Sequence, residues 1–171
     1  HAWTRDYILQ YGTDLTDFKV KMAAMEYGTD LIMKDIKRDG HPHTAVGVRV
    51  GIGCRSGIGN AYPHPNQFHH NKIKKGDSLQ VSGVVRIGGQ GGELYCPYQI
   101  APWTSEMEKM WEVMAEGSQM QIRMSSVGTR CQDIAKAVHE YQLQNGMQKF
   151  LYQRVAHGEG MKGHQEPYIA L

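Results

Sequence analysis

The stretch SLQVSGVVRIGGQGGELYCPYQI, residues 78–100, decides how the chain folds. Its first part, Ser78–Ile87, sets Leu79, Val81, Val84 and Val85 among small and polar neighbours, the pattern of a half-buried strand. Gly88-Gly89-Gln90-Gly91-Gly92 then reads as a hairpin turn, and the chain returns as a further strand around Leu94–Ile100. Consecutive strands joined by so short a turn must run antiparallel. Upstream, Ala45–Cys54 alternates Val46, Val48, Val50 and Ile52 with small or polar residues and predicts a first strand.

Helical patterns flank this sheet. Residues 2–12 predict a short helix. A stronger one starts at Thr16-Asp17, an N-cap pair, and carries Phe18, Val20, Met22, Ala23, Met25 and Tyr27 before Leu31, Ile32, Met33 and Ile36. Gly28 interrupts it, so the helix either breaks there or continues at a cost of about 1 kcal/mol. Beyond the hairpin, Pro102 and Ser105 introduce a helix running to Met124, whose Met107, Met110, Trp111, Val113 and Met114 predict a core-facing stripe. Another helix begins at Thr129 or Cys131 and closes at Asn145-Gly146. The tail from Tyr152 to Leu171 reads as a glycine- and histidine-rich connector leading to a final strand. Helices segregated from antiparallel strands define an α+β chain.

Composition narrows the function classes. With 171 residues, 40% of them hydrophobic, there is enough apolar material for a sizeable core. Lys and Arg number 19 against 17 Asp and Glu, and a net charge of +2 leaves no electrostatic footprint for nucleic acid or an anionic membrane. No apolar stretch approaches the roughly 20 residues of a membrane span. Cys54, Cys96 and Cys131 are widely spaced and form no CxxC pair, which favours a reducing, cytoplasmic setting over a zinc knuckle or disulfide framework. The chain stops on the strand-like run Tyr168-Ile169-Ala170-Leu171, so residues 1–171 are expected to be a single, incomplete domain.

Reactive side chains gather in two loops. The first, within the long irregular stretch 55–77, holds His64, His69 and His70 with Arg55 and Tyr62. The second runs from Ala156 to Tyr168 and contains His157 and His164 among Gly158, Gly160 and Gly163. Imidazole titrates near neutrality and binds metals, so these histidines are acid/base or ligand candidates. Solvated polar histidines are the plainer alternative, most of all for His41 and His43 in a helix-ending turn and for His139 within a helix.

His157-Gly158-x-Gly160-x-x-x-His164, followed by Glu166-Pro167-Tyr168, resembles the HGxGxxxHExP signature of the creatinase/aminopeptidase P/prolidase family, the pita-bread hydrolases. Lys75-Gly76-Asp77 resembles the KxGD before that family's first metal-binding strand. His64 resembles its substrate-side histidine, Gly91-Gly92-Glu93 with Tyr95 its hairpin, and Ser126-Val127-Gly128-Thr129 with the helix to Gly146 the segment before its histidine loop. The resemblance implies a pita-bread fold, an antiparallel curved sheet with helices on its outer face, truncated here at the C-terminus. It also implies a homodimer and a small-molecule or peptide substrate.

The departures matter equally. Family metallohydrolases hold two divalent ions with Asp, Asp, His, Glu and Glu; the resemblance sets Ser82 and Cys96 at the two Asp positions and Gln99 where an Arg usually follows. Gln165 directly follows His164, and the two Glu ligands belong beyond Leu171. Only His157 matches a metal position. The expectation is therefore a creatinase-like, metal-independent hydrolase of a C–N bond, with no cofactor. His157, His164 and Glu166 are its catalytic candidates, and His64, Arg55 and Tyr62 its substrate-binding candidates. A non-catalytic binding module and an Xaa-Pro metallopeptidase with unusual ligands are the alternatives.

Overall fold

The computed structural model describes residues 1–38, 48–61, 70–151 and 154–171. They form two compact units, His1–Pro102 and Trp103–Leu171. In the first, helices α1 (Ala2–Tyr11) and α2 (Asp17–Arg38) precede strands β1 (Arg49–Ser56), β2 (Ser78–Ile87) and β3 (Gln90–Gln99). The sheet is antiparallel throughout, in the order β1-β2-β3. Gly88 and Gly89 at its hairpin turn have φ of 58° and 85°, values that a side chain would strain. The turn is thus tighter than the five-residue one expected, and β3 already begins at Gln90.

Pleating divides the sheet into two chemically distinct faces. Leu79 and Val81 of β2 point with Cys54 of β1 into a core completed by Ile8, Leu15, Val20 and Ile73, with Tyr98 of β3 packed alongside. Helices cover that face. Gly28 does not break α2; a Cβ there would stand at an ordinary packing distance, 3.6 Å, from the Val50 side chain, so the position faces β1 without requiring glycine. The opposite face carries Arg55, Gln80, Ser82 and Gln99.

One buried carboxylate ties the unit together. Thr16 caps α2, its hydroxyl accepting from the Lys19 N–H at 3.2 Å. Asp17, fully buried, turns inwards instead. Its Oδ2 accepts from the Ser56 hydroxyl at 3.3 Å and its Oδ1 from the Asn71 N–H at 3.1 Å. The Asp17 N–H in turn donates to the Asn71 carbonyl at 3.0 Å. The end of β1, the start of α2 and the approach to β2 therefore meet at one side chain.

In the second unit, α3 (Ser105–Met124), capped by the Thr104 hydroxyl, packs on α4 (Cys131–Gln144). Helix α4 in turn supports a hairpin of β4 (Ala156–Gly158) and β5 (Gln165–Ile169), through Ile134, Ala135 and Ile169. The stripe expected to be core on α3 is buried only at Val113, while Trp111 is 53% exposed. No described helix is long and apolar enough to cross a membrane.

Two consequences can be measured. Replacing Asp17 with Ala strands the buried Ser56 hydroxyl and the half-buried Asn71 N–H, and should lower stability by about 3 kcal/mol in urea unfolding. Burial, with the Asp17 carboxylate nearby, pushes the Cys54 thiol up to about 12 from 9.0. The unfolded chain releases that proton near pH 9 and the folded chain does not, so this stabilisation is complete below pH 9 and is lost as pH rises towards 12. Alkylation at pH 8 should accordingly label Cys96 and Cys131 and leave Cys54 unmodified by mass spectrometry.

Candidate active site

The second histidine loop is no mere connector. Ala156 and His157 pair with Ile169 and Tyr168, but Gly158 pairs with Gln165, so Glu166 and Pro167 bulge out of the β4–β5 ladder. Close packing makes this possible. A Cβ on Gly158 would fall 2.8 Å from the Glu166 carbonyl carbon and 2.9 Å from the Gln165 oxygen, and one on Gly160 would fall 2.7 Å from Gln165 Nε2. At Gly158 only glycine lets backbone run against backbone, while at Gly160 the close atoms are the far end of the Gln165 side chain.

The bulge brings the two histidines together. Their ring centroids lie 4.1 Å apart, inclined at 46°. His157 Nδ1 is 3.0 Å from the Gly158 carbonyl oxygen. A carbonyl only accepts, so Nδ1 carries a proton and Nε2 is left to take a cation or a second proton. His164 holds φ at 59°, the one positive value among the described non-glycine residues. Its N–H donates to Glu159 Oε2 at 3.2 Å, and its carbonyl accepts from the Tyr168 hydroxyl at 2.7 Å. The Arg154 guanidinium stacks over the Tyr168 ring, 4.5 Å from its centroid.

Of the residues singled out in the sequence, His157, His164 and Glu166 thus share one hairpin. The Glu166 side chain is exposed there. Arg55 belongs to the first unit, where its Nη1 donates to Gln80 Oε1 at 3.0 Å across β1 and β2. Tyr62, His64 and His69 lie outside the described residues, and His70 packs against the Phe18 ring. Arg154, Glu159 and Tyr168 receive no role from the sequence. The only signal was the four-residue spacing between His164 and Tyr168, which means little until the bulge is known.

The positions expected to replace two aspartates do not form a pair. Ser82 lies opposite Tyr95 and Cys96 opposite Val81, so Ser82 and Cys96 point to opposite faces of the sheet. Ser82 is also engaged with β1: a Cβ on Gly53 would fall 2.6 Å from its Oγ. Cys96 shares its face with the core residues Val81 and Cys54.

An antiparallel sheet with helices on one face, and a glycine-crowded hairpin presenting paired imidazoles, define the pita-bread class of α+β proteins. The chain belongs to Metallopeptidase family M24, whose sequence pattern matches residues 15–171. It is 29% identical over 97 residues to a methionine aminopeptidase from Aquifex aeolicus, spanning 57% of this chain and 37% of that protein. Among solved structures, it superposes on an X-Pro aminopeptidase from Thermotoga maritima with a TM-score of 0.75 at 16% identity, covering 96% of this chain and 43% of that one. A prolidase from Thermococcus sibiricus gives 0.75 at 19% identity, covering 98% and 42%. An Xaa-Pro dipeptidase from Bacillus anthracis gives 0.76 at 14%, covering 98% and 44%. The chain therefore spans roughly two fifths of the length of these relatives.

Membership of a metallopeptidase family corrects the expectation of a metal-independent site without cofactor. That expectation rests on Ser82 and Cys96 at the two aspartate positions and gives no weight to the imidazoles or to Glu93 of β3. The donor chemistry of the hairpin fits a borderline divalent cation, for which neutral imidazole is a good ligand. The β2–β3 positions do not fit one: Ser82 offers a neutral hydroxyl and Cys96 faces the other way. The fit therefore rests on the histidine hairpin. Replacing Gly158 with Ala should push β5 off β4 and cut divalent-metal affinity more than tenfold by isothermal titration, with helix content by circular dichroism almost unchanged.

Proposed function

We propose that the complete protein is a metal-assisted peptidase acting near the N-terminus of peptides, and that this chain supplies its histidine hairpin. The observation that supports this best is the pairing of His157 and His164 on a bulged hairpin within a chain of the M24 family. The aminopeptidases and Xaa-Pro peptidases among its relatives supply the substrate class.

His157 would hold the ion, its Nε2 being free for that because Nδ1 is committed to the Gly158 carbonyl. A bound divalent cation polarises a carbonyl and makes water more acidic near neutral pH. The remaining work falls to the protein. His164, beside His157, binds the substrate amide and through its imidazole passes a proton from the attacking water to the leaving nitrogen as the C–N bond breaks. Glu166, exposed in the same bulge, orients the polar end of the substrate or the attacking water. Arg55, Tyr62 and His64 remain the candidates for substrate binding.

The test is turnover of Xaa-Pro dipeptides and of Met-initiated peptides by the complete protein, with added Mn, Co or Zn. Replacement of His157 with Ala should lower kcat/KM at least about a hundredfold and reduce bound metal measured by elemental analysis. Saturable peptide binding with no turnover under any metal would instead identify a non-catalytic binding module.

A further inference from the structure

We infer that Tyr168 and Glu159 are positioning residues: together they clamp the left-handed backbone of His164 and so set its imidazole against that of His157. The inference rests on the reading of His164 as a participant in the reaction, but its geometry is independent of it. A histidine at φ of 59° departs from the conformation its side chain prefers, and such a residue persists only where its surroundings hold it.

The surroundings here are specific. The Glu159 carboxylate takes the His164 N–H at 3.2 Å, fixing the peptide plane before the Cα. The Tyr168 hydroxyl donates to the His164 carbonyl at 2.7 Å, fixing the plane after it. With both planes held, the direction of the Cα–Cβ bond is determined, and only χ1 and χ2 remain to place the ring. The neighbouring His157 ring, 4.1 Å away between centroids, limits those.

Tyr168 is itself immobilised from two sides. It stands opposite His157 in the β4–β5 register, and the Arg154 guanidinium lies on its ring. The phenol therefore has little freedom to leave the carbonyl it serves, and neither Tyr168 nor Glu159 need touch substrate to matter. The bulge is what makes the arrangement reachable. Without Glu166 and Pro167 looped out, Tyr168 could not face His157 while Gln165 pairs with Gly158.

Tyr168→Phe keeps the ring and the Arg154 stack but loses the hydroxyl. In the complete, metal-loaded protein it should lower kcat about tenfold with KM within about twofold, the size of effect one lost hydrogen bond carries. In a His164→Ala background the same change should have no further effect, because a residue that acts through His164 has nothing left to position. Glu159→Gln, which retains an acceptor oxygen, should keep more activity than Glu159→Ala. A readout independent of turnover is the cross-relaxation between the His157 and His164 rings in protein labelled at histidine, observed without metal. It should weaken in Tyr168→Phe and in Glu159→Ala, and persist in Glu159→Gln. Unchanged ring contacts in Tyr168→Phe, or an equal loss of kcat in the His164→Ala background, would overturn the clamp. A wild-type protein without peptidase turnover would remove the catalytic reading of His164 and leave the clamp to be decided by the ring contacts alone.

Discussion

The first unit depends on the buried carboxylate of Asp17. A carboxylate removed from water is costly unless it is hydrogen-bonded, and here the Ser56 hydroxyl and the Asn71 N–H supply the bonds. The cost and its compensation act together as a constraint on topology. Asp17 is met here because β1 ends at Ser56 beside the first turn of α2 and the chain re-enters at Asn71 to begin the approach to β2. Main-chain bonds between Ile73 and Leu15 and between Asp17 and Asn71 extend the same seam. The apolar core of Val20, Leu79 and Val81 then provides the bulk of the driving force, but it does not choose among alternative chain paths. The carboxylate does.

Long, periodic elements were legible in the sequence because one physical signal controls each of them. Strand β2 runs over the predicted Ser78–Ile87, since alternation of Leu79 and Val81 with polar neighbours has only one reading on a pleated sheet. Helix α3 starts at Ser105 as expected, with Thr104 as its cap. Gly28 was ambiguous for a reason: its cost to the helix is intrinsic, whereas the packing of α2 on β1 that holds the helix together is tertiary. Strand β4 could not be read from a pattern. Three residues, Ala156–Gly158, carry no alternation, and the strand exists because β5 and α4 give it partners.

The site was legible as a motif and illegible as a geometry. His157, His164 and the intervening glycines stand out by composition alone, and the structure does gather them. Order along the chain does not make positions 82 and 96 equivalent, because face is decided by cross-strand register. Ser82 lies opposite Tyr95 rather than Cys96, which sends their side chains in opposite directions. Loss of carboxylates at two such positions therefore says little about whether the histidine hairpin retains a cation, and membership of the M24 family says that metal chemistry is the expectation.

Crowding and strain are concentrated in the hairpin for a physical reason. A regular two-stranded ladder continued from the His157–Tyr168 pair would leave His164 four residues further along from Tyr168 and away from His157. Two devices defeat that regularity. Gly158 lets the Glu166 backbone approach closer than any side chain would permit, and His164 accepts a left-handed backbone. Only the second carries strain, and the Glu159 and Tyr168 hydrogen bonds offset it; the first is consolidated by the pairing of Gly158 with Gln165. A close backbone approach beside a strained residue distinguishes a hairpin shaped for a site from one that only ends a sheet.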